Sequence, residues 1–224
     1  KQFFLVEEYG RSESLSYKIA RLERGRLPEK EALQILRQIA EALQCGFEAG
    51  VRHRALLPDK ILLPEAGKAR LRGLGFAREI AWPSAAEELR ARAAFASPEE
   101  ARGELNPDIR ATLYSLGCIA FAALLGRPPF GAADPDDTLR RHCEEAPSNL
   151  REQDPRLSAA TSEIVLWLLA KDPEDRPRMP QTLLSRLAGH PLLPPEPEAE
   201  KPEEAAEAAV RQAKEEERRA RTEE

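Results

Sequence analysis

Two apolar spacings alternate along the chain, one of period two and one close to four. Phe3-Phe4-Leu5-Val6-Glu7 is a run of strand formers closed by Tyr9-Gly10, and it predicts a strand. Leu15, Ile19 and Leu22 recur at helical intervals and predict a helix from Ser12 to Glu23, which Gly25-Arg26-Leu27-Pro28 breaks. In the longer helix that follows, Leu33, Leu36, Ile39, Ala40 and Leu43 share one face, while Glu31, Arg37, Gln38, Glu41 and Gln44 lie elsewhere. Such a helix buries one side only. Ile61-Leu62-Leu63 and Ala69-Arg70-Leu71, joined through Pro64 to Lys68 with Gly67 in the turn, read as a β-hairpin. Residues 76 to 98 show no clean period and predict an irregular loop with one short helix, Ala85 to Ala93.

From Ala111 to Leu125 apolar residues occur all round the helix, which marks an element enclosed by others. Gly126-Arg127-Pro128-Pro129-Phe130-Gly131 stops it. A polar helix near Asp136 to Glu144 has Asp134 or Asp136 available as N-cap beside Pro135. Ser158 to Ala170 and Pro180 to Ala188 complete a mainly α body, of the α+β kind, with about six helices and one small hairpin. The tail differs in kind. Leu192 to Pro202 carries four prolines among acidic residues and predicts an extended linker. Ala205 to Arg221 has Glu207/Arg211, Glu215/Arg219 and Glu217/Arg221 at i,i+4 and predicts a solvated helix.

Charge sharpens that division. The 224 residues carry a net charge of −5, and residues 196 to 224 alone hold 6 basic and 11 acidic residues, so the body is formally neutral. A neutral body argues against nucleic acid or an anionic membrane as the main partner. Cys45, Cys118 and Cys143 share no short spacing and read as free thiols in a reducing compartment, consistent with a cytoplasmic location. The most apolar stretch, Leu113 to Leu125, is too short to span a bilayer. The first residue is Lys1 and the only methionine is Met179, so further sequence is expected upstream, and any membrane tether is expected to lie in sequence outside the chain.

The chemistry concentrates at Val51-Arg52-His53-Arg54-Ala55-Leu56-Leu57-Pro58-Asp59-Lys60-Ile61-Leu62-Leu63. This segment resembles the catalytic loop of protein kinases, His-Arg-Asp-x-Lys-x-x-x-Asn, with the Asp, Lys and Asn replaced by Ala55, Leu57 and Lys60. Around it Phe4-Leu5-Val6-Glu7-Glu8-Tyr9 resembles the strand and hinge, and Leu33 to Gly50 the long helix before the loop. Arg70-Leu71-Arg72-Gly73-Leu74-Gly75 stands where the family has a strand and Asp-Phe-Gly, with Gly73 in place of the metal-binding Asp. Ser97-Pro98-Glu99 resembles Ala-Pro-Glu, and Arg92 occupies the place of the Thr that helps seat the substrate residue. Thr112 replaces the Asp that braces the loop, while Gly126 to Phe130 and Lys171-Asp172-Pro173-Glu174-Asp175-Arg176-Pro177 match closely.

The resemblance is to the C-terminal lobe of bacterial serine/threonine protein kinases over residues 1–191, followed by a linker, 192–204, and a charged tail, 205–224. It implies a structural set, His53, Arg54, Glu99, Thr112 and Arg176, with a Glu99 to Arg176 ion pair. It also implies that proton, metal and phosphate chemistry at Ala55, Leu57, Lys60 and Gly73 is lost. The expectation is therefore a catalytically inactive module, not an enzyme, with no catalytic residues, cofactor or metal, serving as scaffold or regulator. A protein partner, either upstream chain or another subunit, should cover the face where an N-lobe sits. The alternative is a weak or atypical serine/threonine kinase whose N-lobe lies outside the chain.

Overall fold

The computed structural model describes residues 11–23, 25–65, 67–73 and 86–193. The chain divides into two units, Lys1–Leu193 and Pro194–Glu224, and all described residues belong to the first. The strand expected at residues 3 to 7, the positions of Leu74 and Gly75, and the 205–224 tail lie outside the described residues.

The fold is mostly helical with a small antiparallel sheet. Strand β1 (Ser12–Ser14) leads directly into helix α1 (Leu15–Arg21), so the predicted Ser12 to Glu23 helix starts later than its apolar spacing suggested. The cause is non-local: Ser12 pairs with Pro64 and Ser14 with Leu62, recruiting a polar triplet to the edge of β2 (Ile61–Pro64). The Ser14 hydroxyl then accepts from the Tyr17 amide and caps α1. On the other side β2 pairs with β3 (Arg70–Leu71), as the hairpin pattern predicted, giving the order β1-β2-β3.

Helix α2 (Glu29–Glu48) buries Leu33, Leu36, Ile39, Ala40 and Leu43, the face its spacing predicts. Helices α3 (Ala86–Ala93) and α4 (Pro98–Ala101) lead to α5 (Ile109–Leu125), whose Leu113, Tyr114, Phe121 and Leu124 are buried on every side. Its last turn closes on Gly126 at φ +79°, a left-handed C-cap that relieves the final carbonyls. Beyond it come α6 (Pro135–Glu144), α7 (Leu150–Gln153), α8 (Ala159–Leu168) and α9 (Pro180–Ala188).

Two contacts fix how these helices meet. A Cβ on Gly117 would stand 2.7 Å from Leu168 Cβ, so α5 and α8 approach as closely as they do only because position 117 has no side chain. Glu29, at the start of α2, accepts from both the Ser158 amide (3.0 Å) and hydroxyl (2.6 Å), tying α2 to the N-cap of α8. The Thr161 hydroxyl joins this cluster and meets His190 Nε2 at 3.1 Å. Among the described residues no helix is long and apolar enough to cross a membrane.

Candidate functional site

The loop between α2 and β2 is pinned from two directions. His53 is buried, and its Nε2–H donates to the Arg72 carbonyl at 2.8 Å, since a carbonyl can only accept. Burial lowers the His53 pKa, the Arg72 carbonyl partly offsets this, and the Lys60 charge adds to the lowering. A neutral ring is left whose Nδ1 has no partner among the described residues. From below, the Thr112 hydroxyl donates to the His53 carbonyl at 2.9 Å. A carboxylate at position 112 could only accept; the hydroxyl still braces the loop, with the hydrogen bond reversed.

Ala55 and Leu57 are half-buried, and Lys60 is exposed at the end of a 3₁₀ turn, Pro58–Lys60. The Arg72 amide donates to the Lys60 carbonyl at 2.8 Å, which brings Gly73 beside the loop's end. Gly73 has φ +77°. In the family a Mg²⁺ ion sits at these two positions. An ammonium and a hydrogen atom offer it no oxygen, and among the described residues no cluster of His, Cys, Asp or Glu could hold a metal. Magnesium does not fit this donor set.

Below the loop lies a cavity of about 450 Å³. Arg52, His53, Arg54 and Ala55 line one part of it, Arg92 and Glu100 another, and Thr112 and Ser115 of α5 a third. Glu100 serves two ends. Its Oε2 accepts from the Ser97 amide at 2.9 Å while the Ser97 hydroxyl accepts from the Glu100 amide at 3.2 Å, the capping box that starts α4. Burial nevertheless raises its pKa from the ordinary Glu value, outweighing those hydrogen bonds and the nearby Arg92 charge. The Ser-x-x-Glu spacing announces the cap in the sequence, but nothing there announces the cavity.

Glu99, next in line, meets Arg176. The Arg176 Nη1 donates to Glu99 Oε2 at 3.2 Å; Nη2 stands 2.9 Å from Oε1 but too obliquely for a hydrogen bond there. Arg176 also donates to the carbonyls of Ala170 (2.7 Å), Lys171 (2.9 Å) and Arg110 (3.1 Å), and stacks 4.8 Å from the Tyr114 ring centre. The sequence placed this pair but missed the chain beside it. Lys171 Nζ donates to the Tyr114 hydroxyl at 3.2 Å, which is then free to donate to His142 Nδ1 at 3.0 Å. Lys171 also donates to the His142 carbonyl at 2.7 Å and lies 4.0 Å from the centre of the Phe130 ring.

His142 is fully enclosed, and burial first, then the Lys171 charge, lowers its pKa to about 4, with the Ala93–Ala94 backbone offsetting a little. The folded protein thus binds this proton less readily than the unfolded chain. The stability that neutral His142 allows is present above pH 6.5 and is lost as pH falls toward 4, by about 3 kcal/mol at most. Urea titrations at pH 7 and pH 4.5 check this: the difference between the two should shrink in His142→Gln by about that amount.

The comparisons with known proteins follow this geometry. A protein kinase domain model matches residues 1–187. The chain is 32% identical over 155 residues to the serine/threonine-protein kinase PknB of Mycobacterium leprae, covering 68% of this chain and 25% of that protein. It is 34% identical over 195 residues to the serine/threonine-protein kinase pkn2 of Myxococcus xanthus, covering 82% and 23%. A probable serine/threonine-protein kinase of Clostridium perfringens is 29% identical over 178 residues, covering 77% and 25%. The chain therefore spans about a quarter of the length of these relatives.

These matches overturn the expectation that the chain is not an enzyme, because the domain match and the relatives point to a kinase enzyme. That expectation weighed the side chains at 55, 57, 60 and 73 one by one. It missed that the cavity beside Ala55 holds another carboxyl, Glu100. With the domain match running from residue 1 to 187 through the loop, the cavity and the Glu99–Arg176 pair, the chain belongs to the protein kinase domain family.

Proposed function

We propose that this chain is the C-terminal lobe of a weak or atypical serine/threonine protein kinase, with the nucleotide-binding N-lobe contributed by residues outside Lys1–Glu224. The relatives named as serine/threonine kinases support the reaction class. The observation that carries the reading is the cavity beneath the altered loop, which is lined both by Ala55, at the family's Asp position, and by Glu100, whose pKa burial raises.

A general base works best when its pKa approaches the operating pH, and burial moves Glu100 in that direction. In this reading Glu100 accepts the proton of the substrate hydroxyl as the phosphate arrives, while the braced loop and α5 hold the substrate segment in place. The N-lobe covers the upper face of the sheet and supplies the nucleotide-binding groups.

The variant Glu100→Gln tests the role cleanly. Glutamine keeps the capping box, whose third position accepts either residue, but it cannot take a proton. In the full-length protein, phosphate transfer from ATP to a serine peptide should fall about 10²-fold in kcat, with melting temperature unchanged and the rate losing its dependence on a carboxyl group of raised pKa. An unchanged kcat and pH profile would remove Glu100 from the reaction.

A further inference from the structure

The charges around the cavity are those of a binding site as much as of a reaction site. Ala55 and Thr112 bring no charge to its walls, while Arg52 and Arg54 enter from the loop and Arg92 from the last turn of α3. The carboxylates on its walls are mostly spoken for. Asp108 is held by Arg110, whose Nη2 lies 2.7 Å away, and that hydrogen bonding keeps the Asp108 pKa low against its partial burial. One Glu100 oxygen, Oε2, is held in its capping box. Glu104 stands on the exposed part of the lining.

We propose that this cavity seats an acidic side chain of the protein segment that carries the phosphoacceptor, so that the site selects acidic serine- or threonine-containing peptides. A space of about 450 Å³ accommodates one or two side chains. Guanidinium groups suit a carboxylate because their planar fork offers two parallel donors. Burial also pushes the Arg92 guanidinium below its ordinary pKa, so an anion alongside it restores electrostatic balance. Arg54 and Arg92 have local contacts of their own. Arg52 is exposed, and the hydrogen bond described for it is a long one, 3.5 Å to the Pro107 carbonyl, so this residue is the sharpest probe. Leu105, 89% exposed at the cavity's rim, offers an apolar contact to the residue that flanks the acid.

The word substrate rests on the kinase reading, but binding can be measured without it. The probes are fluorescent serine peptides that differ only in Glu, Gln or Lys at the flanking position, titrated with the full-length protein by anisotropy without nucleotide. The Glu peptide should bind about tenfold more tightly than the Gln peptide, corresponding to about 1.4 kcal/mol. Arg52→Gln should reduce that preference, and Arg52→Glu should abolish or invert it. Equal binding of the Glu and Lys peptides, or a preference that survives Arg52→Glu, overturns the inference. Selective binding without phosphate transfer leaves this inference standing and refutes the kinase reading. Phosphate transfer without acidic preference does the reverse.

Discussion

Full-length protein carrying Ala55→Asp, Lys60→Asn and Gly73→Asp together is expected to transfer phosphate about 10²- to 10⁴-fold faster than the unaltered protein. The three changes return a proton acceptor at 55 and oxygen donors at 60 and 73, where the structure offers a methyl group, an ammonium and a hydrogen atom. The scaffold can take them. Ala55 lines the cavity, Lys60 is exposed, and a Cβ on Gly73 would meet nothing within 4 Å among the described residues. The open space at Gly73 is that left by the described residues, and the cost is at its backbone, where φ +77° strains an L-residue by about 1–2 kcal/mol, although Asp is among the residues that tolerate that region. Steady-state transfer of labelled phosphate to a serine peptide is the readout. A folded triple variant no faster than the unaltered protein would show that positions 55, 60 and 73 do not limit the rate.

Arg176→Ala is expected to destabilise the body by about 3–5 kcal/mol, the usual consequence of removing one partner of a buried ion pair. The Arg176 side chain is completely enclosed, and Glu99 nearly so, so truncating Arg176 leaves a buried carboxylate without its cation. Three backbone carbonyls would also lose their donor. Glu99→Ala should cost a similar amount by stranding the arginine, and Glu99→Gln less, because the amide oxygen can still accept. Urea denaturation of the three variants reads the series. Because the pair ties α4 to the segments at Arg110 and Ala170–Lys171, its loss should also weaken peptide binding at the cavity that Glu100 and Asp108 line. The exposed pairs along α6, such as Arg140 with Asp137 and Glu144, should contribute little by comparison.

Where local spacing decided the outcome, the sequence was informative. One apolar stripe marked the buried face of α2, apolar residues on all sides marked the enclosed α5, and Gly67 marked the turn between β2 and β3. The elements it missed arise from distant or single-turn contacts. Ser12–Ser14 has a composition no strand rule favours and becomes a strand only because residues 62 to 64 pair with it. Helices α4 and α7 are one turn long, too short for any period, and exist because Ser97 and Asn149 cap them. The cavity joins residues 52 to 56, 92, 100, 103 to 108, 111, 112 and 115, a set no spacing reveals. The chain from Lys171 through Tyr114 to His142 likewise joins three elements that only the fold brings together. Substitutions at known positions were therefore plain in the sequence, and the groups that could compensate for them were not.

The most direct measurement is transfer of labelled γ-phosphate from ATP to serine and threonine peptides by the full-length protein, scored against the same protein with Glu100→Gln. The account predicts slow transfer above the uncatalysed background, forming phosphoserine or phosphothreonine and lowered about 10²-fold by the substitution. Transfer no faster than background, from a folded protein that binds both ATP and the acidic peptide, would contradict it.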